Sequence, residues 1–172
     1  TSTGREGEPV ISGNRIVYTD RRPDPNKPGY DLITIHLYDL TNDTDRALTN
    51  QFSFNPHISG DRVVYIKKEQ GIPNVFLYDL TTNIEKQITQ YPQIVGDSAS
   101  NPAIAGNYIV WMNGPGGIWK TYMYDLTTNT QRLITSHDGD QMYPAVSAEG
   151  KIVVADRRGS SGNSWNVYLY DL

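Results

Sequence analysis

Residues 74–83 read NVFLYDLTTN, and three relatives of this stretch occur in the same chain: TIHLYDLTND from Thr34, KTYMYDLTTN from Lys120 and NVYLYDL from Asn166. The aspartates of the shared Tyr-Asp-Leu fall at Asp39, Asp79, Asp125 and Asp171, at spacings of 40, 46 and 46 residues. A second motif precedes each copy, as EPVISGNRIVY, NPHISGDRVVY, NPAIAGNYIVW and YPAVSAEGKIVVA, with prolines at Pro9, Pro56, Pro102 and Pro144. A third motif closes three of the units: RALT ending at Thr49, KQIT at Thr89 and RLIT at Thr135. Three motifs in fixed order at a period near 46 residues define an internal structural repeat.

Each unit reads as four short strands, A to D. Strand A is the Pro-x-Ile-Ser segment, B is RIVY, RVVYI, YIVWM or KIVVA, C is the opening motif and D is EKQIT and its counterparts. Val, Ile, Tyr and Thr dominate these runs, as a pleated, half-buried surface prefers. No segment sustains an apolar period of 3.6, so almost no helix is expected. Between A and B stands Gly13-Asn14, Gly60-Asp61 or Gly106-Asn107, where Gly supplies the positive φ of a two-residue hairpin. The fourth unit has Ala-Glu-Gly instead, with Gly150 suited to the left-handed position of a three-residue loop. Between C and D, Asn83, Asn129 and Asp43 are residues that tolerate the left-handed region, and the Asp of YDL can accept bonds from the turn that follows it. The fourth unit ends at Leu172 without a D strand.

Four-stranded antiparallel units repeated at this length are propeller blades, each burying its two faces on its neighbours. The expected fold is all-β: a single domain over 1–172 whose four blades span approximately 9–49, 56–89, 102–135 and 144–172, the last lacking its outer strand, either as a four-bladed unit or as part of a larger ring. That open edge is expected to favour pairing with another chain, including self-association.

The 172 residues suffice for one domain; 37% are apolar and 20% charged, with a formal net charge of −4. There is no cysteine, so disulfides and thiolate metal sites are excluded. The basic pairs Arg21-Arg22, Lys67-Lys68 and Arg157-Arg158 each lie beside an acid, and a mildly acidic chain without a clustered basic surface is not expected to bind nucleic acid. No stretch approaches the roughly 18 apolar residues of a spanning helix, and no membrane insertion is expected.

The pattern P-x-I-S-G-D-R-V-V-Y, followed by N-V-F-L-Y-D-L-T-T-N and Q-I-T, resembles the TolB-like (WD40-like) β-propeller repeat of secreted and cell-surface proteins of archaea and bacteria. ISGD stands where that repeat usually has Trp-Ser-Pro-Asp-Gly. The resemblance covers nearly the whole chain. It implies an extracellular, cell-surface or periplasmic setting and no shared catalytic motif. It also implies the family's roles, which are protein binding, envelope scaffolding and gating of an attached peptidase.

Residues that recur with the repeat, such as the YDL tyrosines and aspartates, are read as architectural. His36, His57 and His137 do not align between units, and no G-x-S-x-G, H-E-x-x-H or P-loop is present. A non-catalytic module without a cofactor is therefore expected. Asp138 and Asp140 of HDGD are weak calcium candidates that lack the ligand run of an EF-hand, and NDTD (Asn42 to Asp45) is a similar candidate on a hairpin turn; solvated turns are the expected reading of both. The loops between B and C (DRRPDPNKPGYD, KKEQGIP, NGPGGIWK, DRRGSSGNSW) and between D and A (the longest QYPQIVGDSASN) break the repeat most. In a propeller both sets emerge on one face, where Tyr30, Tyr91, Trp119, Tyr143, Trp165, Arg21 and Arg157 would form a binding surface. Aromatics beside Arg suit a protein partner, and the same rings suit a surface polysaccharide. Against this, Trp119 and Trp165 align in the repeat, which favours packing between blades. Asp20-Arg21-Arg22 and Asp156-Arg157-Arg158 also align, which favours a repeated salt bridge.

Overall fold

The computed structural model describes residues 4–91, 99–114, 117–158 and 164–172. The middle of the long loop after Gln90, two residues of NGPGGIWK and most of SSGNS lie outside the described residues. Blade one comprises β1 (Arg5–Ser12), β2 (Arg15–Pro23), β3 (Asp31–Asp39) and β4 (Thr44–Ala47). Blade two comprises β5 (Ser53–Ser59), β6 (Arg62–Glu69), β7 (Ile72–Asp79) and β8 (Ile84–Gln87). Blade three comprises β9 (Ala99–Ala105), β10 (Tyr108–Asn113), β11 (Lys120–Asp125) and β12 (Thr130–Leu133). Among the described residues, blade four comprises β13 (Gln141–Val146), β14 (Lys151–Asp156) and β15 (Asn166–Asp171). Every sheet is antiparallel with its strands in sequence order, and no α-helix occurs among the described residues.

The turns follow from their residues. Ser12 pairs with Arg15 across Gly13-Asn14, and Gly13, Gly60 and Gly106 have φ of 57°, 58° and 55°, as the first position of a type II′ turn requires. Gly150, at φ 85°, closes the three-residue loop of blade four. After strand C, the carboxylates of Asp39, Asp79 and Asp125 accept the backbone N–H of Thr41, Thr81 and Thr127 at 2.8, 2.9 and 2.7 Å. Backbone N–H bonds of this kind hold all three carboxyls below the usual aspartate range, the largest effect on Asp79 coming from the Thr82 N–H at 3.0 Å and those on Asp39 and Asp125 from Thr41 and Thr127. Asp43, Asn83 and Asn129 then turn the chain at φ 53°, 54° and 55°. Each is also bonded by the YDL tyrosine five residues earlier, for example Tyr124 Oη to Asn129 Oδ1 at 3.2 Å.

Two boundaries differ from the sequence reading. Strand A begins before its proline and passes through it on a β-bulge, with a register shift in all four blades. The residue before the proline adopts positive φ each time: Glu8, Asn55, Asn101 and Tyr143, at 51°, 50°, 48° and 53°. The bulge accommodates the missing proline N–H. Strand D ends before its threonine, which turns back onto strand C. The Oγ1 atoms of Thr49, Thr89 and Thr135 accept the backbone N–H of Ile35, Val75 and Thr121, each at 2.9 Å.

The core is divided among the junctions between blades. Val17, Ile35 and Leu37 of blade one meet Ile58, Val63, Tyr65 and Phe76 of blade two. Val64, Ile66, Val75 and Leu77 meet Ile104, Ile109, Trp111 and Tyr124 of blade three. Val110 and Met123 meet Ile152 and Val154 of blade four. Alternation along a strand explains why Val63 to Ile66 are all fully buried: Val63 and Tyr65 face backward to blade one, Val64 and Ile66 forward to blade three. Each such side chain contributes roughly 1.5–3 kcal/mol.

Candidate functional site

The B–C and D–A loops do lie together. Lys68 N–H donates to Phe52 O at 3.0 Å, Gln141 N–H to Trp119 O at 2.8 Å and Arg157 N–H to Asp140 O at 3.1 Å, each bond joining one loop set to the other. The loops are shorter than the sequence reading drew them. KKEQGIP reduces to the two-residue turn Gln70-Gly71, with both φ positive, and Arg21 and Arg22 extend β2 rather than starting a loop.

Three of the candidate residues, Trp119, Arg157 and Trp165, gather around the carboxylate of a fourth, Asp140. Asp140 Oδ1 accepts the Trp119 N–H at 3.1 Å, and its Oδ2 lies 3.5 Å from Arg157 Nη1. The Arg157 guanidinium sits 5.2 Å from the centroid of the Trp165 ring, which is 42% exposed. The Trp119 ring covers Gly114, where a Cβ would come within 3.0 Å of it. Asp140 thus organises the loops of blades three and four. Asp138 is exposed, and among the described residues no group of three or more His, Cys, Asp or Glu can hold a metal.

Tyr30 sits apart, on blade one. The 24–30 loop closes on itself through Asp24 N–H to Tyr30 O at 2.8 Å and Tyr30 N–H to Lys27 O at 3.1 Å. Lys27 Nζ lies 3.9 Å above the exposed Tyr30 ring. Arg21 Nε is 3.7 Å from Asp31. Tyr91 is not a surface residue of this kind. It packs on the junction of blades two and three, and its hydroxyl accepts the indole N–H of the buried Trp111 at 2.9 Å. Tyr143 is exposed but lies within β13, at the bulge of the innermost strand.

The repeated salt bridge is present with the second Arg of each run. Asp20 and Asp156 are fully buried; Arg22 Nε lies 2.5 Å from Asp20, and Arg158 Nε donates to Asp156 at 2.7 Å. His36 bridges Asp20 and Asp45, at 3.5 and 3.2 Å. His57 Nδ1 accepts the Ile104 N–H at 3.3 Å across a junction, and burial holds its pKa below the ordinary value.

No family model matches the chain, and no curated protein matches it. Solved structures do match. The chain is similar to TolB from Acinetobacter baumannii, with a TM-score of 0.72 at 21% identity over 99% of this chain and 42% of that one. The fold is that of a TolB-like β-propeller. A putative TolB from Agrobacterium tumefaciens gives 0.66 at 16% identity over 91% of this chain and 57% of that one. The β-propeller domain of the Trilobed protease from Pyrococcus furiosus gives 0.72 at 13% identity over 98% and 54%. This propeller chain therefore spans less than three fifths of the length of each.

Proposed function

We propose that the chain is a non-catalytic binding or scaffolding module of a secreted or cell-surface protein, engaging a protein partner through its loop-rich face. The observation that carries this reading is the pair of exposed, cation-capped rings, Lys27 over Tyr30 and Arg157 over Trp165. Large rings pre-positioned by Arg or Lys and left half open to solvent are the anchors that protein interfaces use. The likeness to TolB supports it as fold only.

The test is binding of the purified chain to an envelope fraction of its source cells, with Trp165→Ala and Tyr30→Ala variants alongside. Loss of a protease-sensitive interaction in the variants, with the fold intact, supports a protein partner. Retention of that interaction overturns the assignment to these rings. Signal on a glycan array that depends on the same rings moves the assignment to polysaccharide. The likeness to a propeller domain of a protease favours a second reading, control of access to an attached hydrolase, which a hydrolase domain in the same polypeptide would support.

A further inference from the structure

Among the described residues, two sheet faces lack a neighbour. Packing runs from blade one to two, two to three and three to four, with no extensive packing of blade four on blade one among the described residues. The forward face of blade four leaves Val153, Val167 and Leu169 exposed by 37%, 78% and 58%. Their counterparts in blade one, Val17, Ile35 and Leu37, are buried. The backward face of blade one leaves Ile11 61% exposed and opens a groove of about 480 Å³ lined by Pro9, Ile16, Tyr18 and Tyr38, with Glu6 and Asp45 also on its wall. The counterparts of Ile11, Ile16 and Tyr18 in blade two are Ile58, Val63 and Tyr65, all buried.

These two faces match each other. The internal junction of blades one and two sets Val17, Ile35 and Leu37 against Ile58, Val63 and Tyr65. Placing blade four against blade one would set Val153, Val167 and Leu169 against Ile11, Ile16 and Tyr18. Four of the six residues are identical to those they replace, and the other two are Val for Ile and Ile for Val. The polar rim repeats as well. Between blades two and three, Arg62 Nη1 donates to Gly106 O at 3.1 Å and to Asn107 Oδ1 at 2.8 Å. Lys151 holds the position of Arg62 in blade four, and blade one presents the same residue pair as acceptors, Gly13-Asn14. Between blades one and two, Ser12 Oγ accepts the Gly60 N–H at 3.1 Å; Ser147 and Gly13 stand at those positions.

We propose that the forward face of blade four docks on the backward face of blade one of a second copy of this chain, rebuilding the internal junction between two molecules. The contact is heterologous, joining two different surfaces, so two copies close into a ring where the rotation permits and chain into longer arrays where it does not. The β-propeller domain of which this chain spans 54% is just under two chain lengths, so two copies supply about the length of one such domain.

The test is the solution mass of the purified chain by light scattering over a concentration series. The expected result is a rise from the 19.3 kDa of one chain to twice that value or more. Leu169→Lys and Ile11→Lys each return the mass to that of one chain, and an equimolar mixture of the two variants regains a two-chain species, because one junction remains intact. Both positions are exposed in the single chain, so circular dichroism should show the fold unchanged; Val167→Lys replaces Leu169→Lys if it does not. A one-chain mass at every concentration overturns the proposal. So does association that survives in either variant alone, which would mean pairing of like faces or of the free edge of blade four, and so does a mixture that stays at one chain.

Discussion

The threonine closing each RALT, KQIT or RLIT motif works as a latch. Thr89 is buried, and its hydroxyl both accepts the Val75 N–H and donates to Asn74 Oδ1 at 3.0 Å. Replacing it with valine keeps shape and volume but leaves a buried N–H without an acceptor, which costs about 1–3 kcal/mol. Thr89→Val is therefore expected to lower the urea midpoint by an amount corresponding to that range, with the slope of the transition unchanged. Thr82→Val, on the exposed turn seven residues earlier, should change it far less. His57 gives a prediction of a different kind. Its Nδ1 can accept the Ile104 N–H only when the ring is neutral on that nitrogen, and burial depresses its pKa. The unfolded chain, with a histidine near 6.5, then binds the proton more readily than the folded chain. Stability contributed here is complete above about pH 6.5 and is lost as the pH falls toward the depressed folded value. Denaturant titrations at pH 5 and pH 7.5 should show a larger difference for the natural chain than for His57→Gln, whose amide oxygen accepts without titrating.

Among the elements, the bulged innermost strand holds the least comfortable backbone. Asn55 and Asn101 occupy its positive-φ position with a residue suited to it, whereas blade four has Tyr143 there. Tyr143→Asn is expected to raise the thermal midpoint, since left-handed strain on a bulky residue is of order 1 kcal/mol. An unchanged or lowered midpoint in calorimetry would contradict this. The strands and hairpins were legible in the sequence because their signals are local: β-branched and aromatic runs, Gly13 and its counterparts at the first turn position, Asn83 and Asn129 at the second turn. The bulge was not, because Pro9 and its counterparts read equally well as strand starts. The latch was visible as a repeated Thr, yet its role depends on the chain turning back from strand D to strand C. Of the candidate face, Trp119, Arg157 and Trp165 lie together as their loop placement implies, and the part of Asp140 in holding them depends on geometry that no motif encodes. Tyr91 misled because a ring at a loop end is free to fold inward, and the indole N–H of Trp111 gives it a reason to do so.

At the scale of the whole molecule, stability resides in three junctions rather than in one centre, so it should behave as a chain of neighbour interactions. Strands facing two junctions are held twice. Amide exchange on dilute protein is expected to be slowest in β6 and β10, each buried on both faces, and fastest in β15, which borders one junction and a free edge. Equal protection across all four blades would contradict this picture. The repetition of one junction chemistry also bears on how such a chain changes over generations. A recombination event that duplicates or removes one whole unit brings together a forward face and a backward face that already fit, so blade number can drift without any new interface having to be invented.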